Sequence, residues 1–174
     1  MRVSHKFREI KDFPRKGITF KDITKLLEDG ETFKYVIEKL AKFAKMQKAE
    51  AIAGIESRGY IFSSSVAYLL GIGHVIIRKQ GKLPLKTIRE TYNYEYSSDS
   101  LEIHIDSIKP CQRIVIIDDI LATGGTSKAA IRLIERLSGK VVGMGFLLEL
   151  QGLEGRKRLK GYKIYSLTKL KVSK

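Results

Sequence analysis

Apolar side chains recur along this chain with two alternating periodicities, one typical of helices and one typical of strands. After Gly30 they follow one another three or four positions apart as far as Phe43, which predicts an amphipathic helix. A second helix is predicted over 60–70, and a third begins near Thr126. Short apolar or alternating runs predict strands at 51–55, 74–77, 101–105, 113–117, 141–148 and 162–167. This alternation indicates an α/β fold with a mainly parallel central sheet.

The stretch 79–100 interrupts this pattern. It is polar, carries Tyr92, Tyr94 and Tyr96, and shows little periodicity. A connection of this length inside a compact domain is usually functional. We therefore interpret it as a lid loop, with a hairpin as the alternative.

Composition narrows the class of protein. The 174 residues suit one domain, which we place over 1–174. The formal net charge of +14 indicates anionic partners, although lysines scattered over the surface explain much of it equally well. One cysteine, Cys111, excludes an internal disulfide, and the first nine residues contain no apolar core of a secretory signal. We therefore expect a cytoplasmic protein with no membrane partner.

The sequence DDILATGGT at 118–126 carries the strongest chemical signal. Ligands of open α/β sheets bind beyond the carboxyl ends of the strands, and two acids there can accept hydrogen bonds from vicinal hydroxyls. Two glycines let backbone amides approach an anion, and the following helix directs its unpaired N–H groups at the same place. The motif therefore predicts a site for a diol joined to a phosphate.

Other interpretations of this motif fit less well. P-loop nucleotide hydrolases also place acids after an aliphatic strand, but the chain lacks their G-x-x-x-x-G-K-[ST] sequence. The dinucleotide fingerprint G-x-G-x-x-G is absent as well. A purely structural turn would explain the two glycines but not the acids and threonines around them. The three histidines are far apart and match no metal-binding spacing.

The motif at 118–126 resembles the phosphoribosyl pyrophosphate signature of type I phosphoribosyltransferases. Other segments resemble the adenine phosphoribosyltransferases: FPxxGIxFKDI at 13–23, AGIESRG at 53–59, RKxGKLP at 78–84 and YEY at 94–96. The resemblance runs from about Phe13 to Arg158. It implies the type I fold, with helices flanking the sheet, a small N-terminal hood over about 1–27 and a flexible lid over about 79–100.

The resemblance implies an enzyme of purine salvage. Such an enzyme transfers the 5-phosphoribosyl group of phosphoribosyl pyrophosphate to adenine, giving AMP and pyrophosphate. Mg²⁺ is the expected cofactor, held mainly by the substrate and through water by Asp118 or Asp119, with no direct protein ligand. A homodimer is expected, and no nucleic acid is expected as a partner.

The resemblance also implies a strained or cis peptide bond near Ser57. It further assigns roles to individual residues. Glu95 would exchange a proton with the purine ring, and Tyr96 would contact substrate from the lid. The ribose is assigned to Asp118 and Asp119, and the 5-phosphate to Ala122, Thr123, Gly124, Gly125 and Thr126. Pyrophosphate is assigned to Ser57, Arg58, Lys79 and Lys82. The base is assigned to Phe20, which would stack on it, and to Thr19 and Lys21, which would contact it through their backbone.

Some alternatives stay open. The sequence has Lys16, Lys21, Tyr94 and Ser97 where the family often has Pro, Arg, Leu and Gly, which leaves base preference and lid detail unsettled. Glu95 could instead be a solvated strand residue. Phe20 could pack in the core. A hypoxanthine or guanine transferase is the second candidate function, and a nucleic-acid-binding regulator on the same fold is the third.

Overall fold

A seven-stranded sheet forms the centre of the molecule. The computed structural model describes residues 3–13, 15–17, 19–93 and 98–172. In chain order the elements are β1 Arg8–Ile10, β2 Phe20–Asp22, α1 Thr24–Leu27, α2 Gly30–Met46, β3 Ala51–Ile55, α3 Gly59–Leu70, β4 Gly73–Lys79, β5 Thr87–Asn93, β6 Ser98–His104, β7 Arg113–Leu121, α4 Gly125–Arg136, β8 Lys140–Gln151, α5 Gly155–Arg158 and β9 Ile164–Lys171, with a 3-10 turn at Ser4–Lys6 before them.

The strand order of the sheet places the site. The order is β5-β6-β4-β3-β7-β8-β9, and the five strands from β4 to β9 are parallel. The chain leaves β3 toward β4 on one side and leaves β7 toward β8 on the other. The order therefore reverses between β3 and β7, and ligands of such sheets bind at that point, beyond the carboxyl ends of the strands.

Two apolar cores cover the faces of the sheet. Helix α4 packs into one core through Ala130 and Ile134, whereas α2 and α3 pack into the other through Leu40 and Phe62. Strand β7 contributes alternate side chains to both cores, so its backbone is held from both faces. No helix in the described part of the chain is long and apolar enough to cross a membrane.

The predicted helices are present, and their ends have local causes. The Asp29 side chain accepts a hydrogen bond from Thr32 N–H at 2.9 Å and caps the start of α2. Helix α3 ends where Gly71 adopts a left-handed conformation at φ 63°. The final strand begins at Ile164 and reaches Lys171, later than the predicted 162–167.

The stretch 79–100 is mainly a hairpin and not a loop. Strands β5 and β6 pair antiparallel, and β6 pairs antiparallel with the end of β4. The polar side chain of Glu90 conceals the strand pattern because it points at α4. There it accepts hydrogen bonds from Arg132 at 2.7 Å and Arg136 at 3.4 Å. A strand face that contacts a basic helix need not be apolar.

Strand β7 is also longer than predicted. We expected the strand to end at the acid pair and a loop to follow over 120–125, but Ile120 and Leu121 pair with Leu148 and Glu149 of β8. Pairing with this neighbouring strand extends β7 past its purely aliphatic residues. The two acids therefore lie within the strand and not at its end.

Candidate functional site

A cavity of about 800 Å³ opens at the predicted edge of the sheet. It lies beyond the carboxyl ends of β3 and β7, where the strand order reverses. Every site residue predicted in the described part of the chain lines it except Gly125. The cavity therefore unites segments that lie far apart in the sequence, from Gly17 to Val172.

The acid pair lies at the cavity floor. Asp118 Oδ1 accepts a hydrogen bond from the backbone N–H of Asp119 at 2.9 Å. Burial raises the pKa of Asp118 well above its usual range, and the neighbouring charge of Asp119 raises it further. Asp119 Oδ2 is buried and lies 2.7 Å from Arg58 Nε, yet no donor is aligned on it for a hydrogen bond. A buried acceptor of this kind suits a ligand hydroxyl.

The glycine turn follows directly. Ala122, Thr123, Gly124 and Thr126 line the cavity. Gly124 has φ 76°, and a Cβ atom there would lie 2.9 Å from the carbonyl oxygen of Gly155, so both the conformation and the space require glycine. Helix α4 starts at the next residue, so the first N–H groups of a twelve-residue helix lie at this turn. The turn can therefore bind an anion through backbone donors.

Gly125 is the one residue of the turn 122–126 that does not line the cavity. A Cβ atom there would lie 3.2 Å from Arg158 Nη1 and 3.6 Å from Tyr92 Cδ2, and Tyr92 itself lines the cavity. Its neighbours Gly124 and Thr126, on either side of this first residue of α4, both line the cavity.

The cationic residues Arg58, Lys79 and Lys82 also line the cavity. Arg58 follows the Glu56–Ser57 peptide bond, which is cis, as the resemblance implied. Glu56 accepts hydrogen bonds from Lys82 Nζ at 2.5 Å, the Lys79 backbone N–H at 3.1 Å and Arg78 Nε at 3.2 Å. Burial acts to raise the pKa of Glu56, but these donors outweigh it and lower the pKa to about 2.

The hood contributes Thr19, Phe20 and Lys21 to the cavity. The Phe20 ring lies 5.0 Å from the guanidinium of Arg58, and Phe13 packs edge-on against it with ring centroids 5.3 Å apart. The Lys21 side chain is buried and forms an ion pair with Glu9 of β1. Lys21 thus lines the cavity while its ammonium group is paired with a residue of the hood.

Sequence reasoning missed an apolar wall formed by Leu150, Leu153 and Val172. These residues lie at the ends of β8 and β9, and the rule that ligands bind beyond parallel strands could have indicated them. Their aliphatic character alone does not indicate a binding site.

Glu95 and Tyr96, together with Tyr94 and Ser97, lie outside the described residues. In that described part no cluster of three or more His, Cys, Asp or Glu residues could hold a metal ion.

Comparison with known proteins agrees with this geometry. A family model described as phosphoribosyl transferase domain matches residues 24–172. The adenine phosphoribosyltransferase of Desulfitobacterium hafniense is 54% identical over 162 residues, which cover 93% of this chain and 94% of that protein. The crystal structure of the Thermoanaerobacter pseudethanolicus adenine phosphoribosyltransferase has a TM-score of 0.94 and 51% identity, covering 97% of this chain and 98% of that one.

A more distant structure adds a bound base. The Saccharomyces cerevisiae adenine phosphoribosyltransferase, complexed with an imino-altritol bisphosphate and adenine, has a TM-score of 0.88 and 34% identity, covering 95% of this chain and 96% of that one. With matches of this length and similarity, the chain belongs to the phosphoribosyltransferase family, among the adenine phosphoribosyltransferases.

Proposed function

We propose that this protein transfers the 5-phosphoribosyl group of phosphoribosyl pyrophosphate to N9 of adenine, giving AMP and pyrophosphate. One observation carries the proposal: a buried acid pair and a glycine turn line the same cavity as Arg58, Lys79 and Lys82. Each of these groups matches one part of the substrate. The acids and the turn suit the ribose phosphate, and the cations suit pyrophosphate.

The ribose phosphate has a rigid place to bind. Asp119 Oδ2 is a buried acceptor without an aligned donor, and we assign it to a ribose hydroxyl together with Asp118. The turn from Ala122 to Thr126 would bind the 5-phosphate through backbone N–H groups at the start of α4. With the sugar fixed at both ends, the anomeric carbon is held between the base and the leaving group.

Pyrophosphate would bind between the hairpin and α3. Arg58, Lys79 and Lys82 bring three positive charges to this wall, and Ser57 adds a hydroxyl. Negative charge builds on pyrophosphate as its bond to the anomeric carbon breaks. Fixed cations stabilise that charge more in the transition state than in bound substrate.

Mg²⁺ fits this site as a partner of the substrate. The described residues offer two neighbouring carboxylates and no complete ligand set, which suits an ion bound mainly by phosphate oxygens and water. Asp118 or Asp119 would hold it through water. When bound, the ion neutralises pyrophosphate oxygens.

Adenine would lie between Phe20 and the apolar wall of Leu150, Leu153 and Val172. The backbone of Thr19 and Lys21 would contact its polar edge. We assign proton exchange at the purine ring to Glu95, with Tyr96 beside it. Glu95→Gln should lower kcat about a hundredfold while leaving KM for both substrates within about threefold. A change confined to KM would remove Glu95 from proton transfer.

A screen of bases tests the proposed function. With phosphoribosyl pyrophosphate and Mg²⁺, adenine should release pyrophosphate and form AMP, with kcat/KM about a hundredfold or more above that for hypoxanthine or guanine. Asp119→Asn is the matched inactive control, because it keeps the shape of the side chain and removes its charge. Preference for guanine or hypoxanthine would establish the second candidate. Release of no pyrophosphate with any base, together with sequence-selective DNA binding, would establish the third.

We also propose a cytoplasmic homodimer. Ile61, Tyr68 and Leu69 on α3 and Ile76 on β4 are large apolar side chains exposed to solvent by 38% to 90%. Such a cluster favours association between copies. Sedimentation should therefore give a particle of twice the chain mass of 19.7 kDa, and a particle of single mass would refute the dimer. The cytoplasmic location rests on the absence of any possible internal disulfide in a chain with one cysteine.

A further inference from the structure

Each cation on the proposed pyrophosphate wall contacts a carboxylate of the protein. Arg58 Nε lies 2.7 Å from Asp119, Lys82 Nζ lies 2.5 Å from Glu56, and Lys79 Nζ lies 2.9 Å from Asp99. Two of these acids have other roles. Asp119 is assigned to the ribose, and Glu56 also binds the backbone N–H of Lys79. The pairing of Lys79 with Asp99 is the one whose purpose is unexplained.

Asp99 lies on β6 of the hairpin, directly opposite Tyr92 on β5. Its Oδ2 atom faces both Lys79 Nζ and, at 3.4 Å, the hydroxyl group of Tyr92. Lys79 and Tyr92 line the cavity, whereas Asp99 does not. Burial acts to raise the pKa of Asp99, but hydrogen bonds from Lys79 and Ser100 N–H outweigh it and lower the pKa. The carboxylate is therefore charged at neutral pH.

The Asp99 side chain is not needed to hold the hairpin in place. Backbone pairing runs along β5 and β6 from Thr87 with His104 to Asn93 with Ser98. Glu90 fixes the outer strand to α4 through Arg132 and Arg136. Replacing the Asp99 carboxylate by an amide should therefore leave the fold and the position of Lys79 Cα unchanged.

We propose that Asp99 is a resident counter-ion of Lys79, which pyrophosphate must displace when it binds. This inference rests on the proposed function of the cavity. A pyrophosphate group bound to Lys79 would lie close to the Asp99 carboxylate, and like charges in a partly buried site repel strongly. Asp99 thus weakens the binding of pyrophosphate and favours its release after transfer. It is a positioning residue because it acts through Lys79.

The test measures pyrophosphate binding directly. Inorganic pyrophosphate with Mg²⁺ is titrated calorimetrically into the intact protein, and Asp99→Asn should lower its Kd about fivefold or more. The inhibition constant of pyrophosphate against phosphoribosyl pyrophosphate should fall by the same factor. Asp99→Glu, which keeps the charge, should behave as the unmodified protein does.

Asp106→Asn is the matched control. Asp106 is exposed in the turn after β6 and makes no ion pair among the residues that the structure describes, so this variant changes net charge alone. Its Kd for pyrophosphate should stay within about twofold. Tighter binding by Asp99→Asn cannot arise from structural damage, because damage weakens binding.

The possible failures are distinct. Unchanged or weaker pyrophosphate binding by Asp99→Asn, in a background where the unmodified protein converts adenine to AMP, would overturn the role of Asp99 alone. An unmodified protein that neither binds pyrophosphate nor converts adenine would overturn the proposed function of the cavity together with this inference.

Discussion

The two sides of the cavity are built in different ways. The β7–α4 side depends on backbone: a strand held between two cores, a glycine with positive φ and the first turn of a helix. The part formed by Arg58, Lys79 and Lys82 depends on side chains, each paired with a carboxylate, which for Arg58 is Asp119 of β7 itself. The first side has little freedom to adjust. The second can exchange its ion pairs for contacts to a ligand.

This contrast suggests a division of labour. A phosphate that stays on the sugar throughout the reaction benefits from a rigid site, because its binding fixes the position of the anomeric carbon. A leaving group must be bound tightly in the transition state and then released. Ion pairs that the protein can re-form after release serve that purpose better than a fixed cradle does.

The largest expected effect is on the rigid side. Gly124→Ala should lower kcat/KM for phosphoribosyl pyrophosphate about a hundredfold or more, since it places a side chain at φ 76° and 2.9 Å from the Gly155 carbonyl oxygen. Gly125→Ala is the matched control and should cost about fivefold or less, because its nearest neighbour is the flexible end of Arg158. If both variants lost the same factor in kcat/KM in steady-state assays, the backbone conformation of Gly124 would not be what this side of the cavity depends on.

An intermediate effect is expected in the hood. Phe20→Leu should raise KM for adenine about tenfold and change KM for phosphoribosyl pyrophosphate little, because stacking on the base is reduced. Phe13→Leu provides the comparison, since Phe13 is 51% exposed and contacts Phe20 by its edge. If both variants behaved alike, Phe20 would be a packing residue of the hood and not a base contact.

The smallest effect concerns the ion pairs themselves. The pKa of Glu56 is lowered to about 2 from an ordinary 4.5, so its stabilisation is complete above pH 4.5 and is lost as pH falls toward 2. Glu56→Gln should lower Tm by about 3 °C at pH 7. Circular dichroism melts should show that difference narrow between pH 5 and pH 3. A constant difference would mean that its charge does not stabilise the fold.

The same contrast explains what the sequence could predict. Strand β7, its acid pair, the glycine turn and α4 are contiguous, so local patterns define them together. The apolar wall of Leu150, Leu153 and Val172 is assembled from two strand ends, and nothing near these residues in the sequence marks it. The strands of the hairpin could not be predicted for a related reason. In the sequence Glu90 looks like a solvated residue, and only the fold shows that it is paired with Arg132 and Arg136 of α4.

The hood forms a two-stranded sheet of its own, separate from the seven-stranded one. Both of its cross-strand ion pairs, Arg8 with Asp22 and Glu9 with Lys21, lie within residues 8–22. Exchanging this segment between related proteins would therefore transfer both ion pairs together with it. We assign contacts to the base to this segment, so we expect such an exchange to alter base preference while the acid pair and the glycine turn stay unchanged.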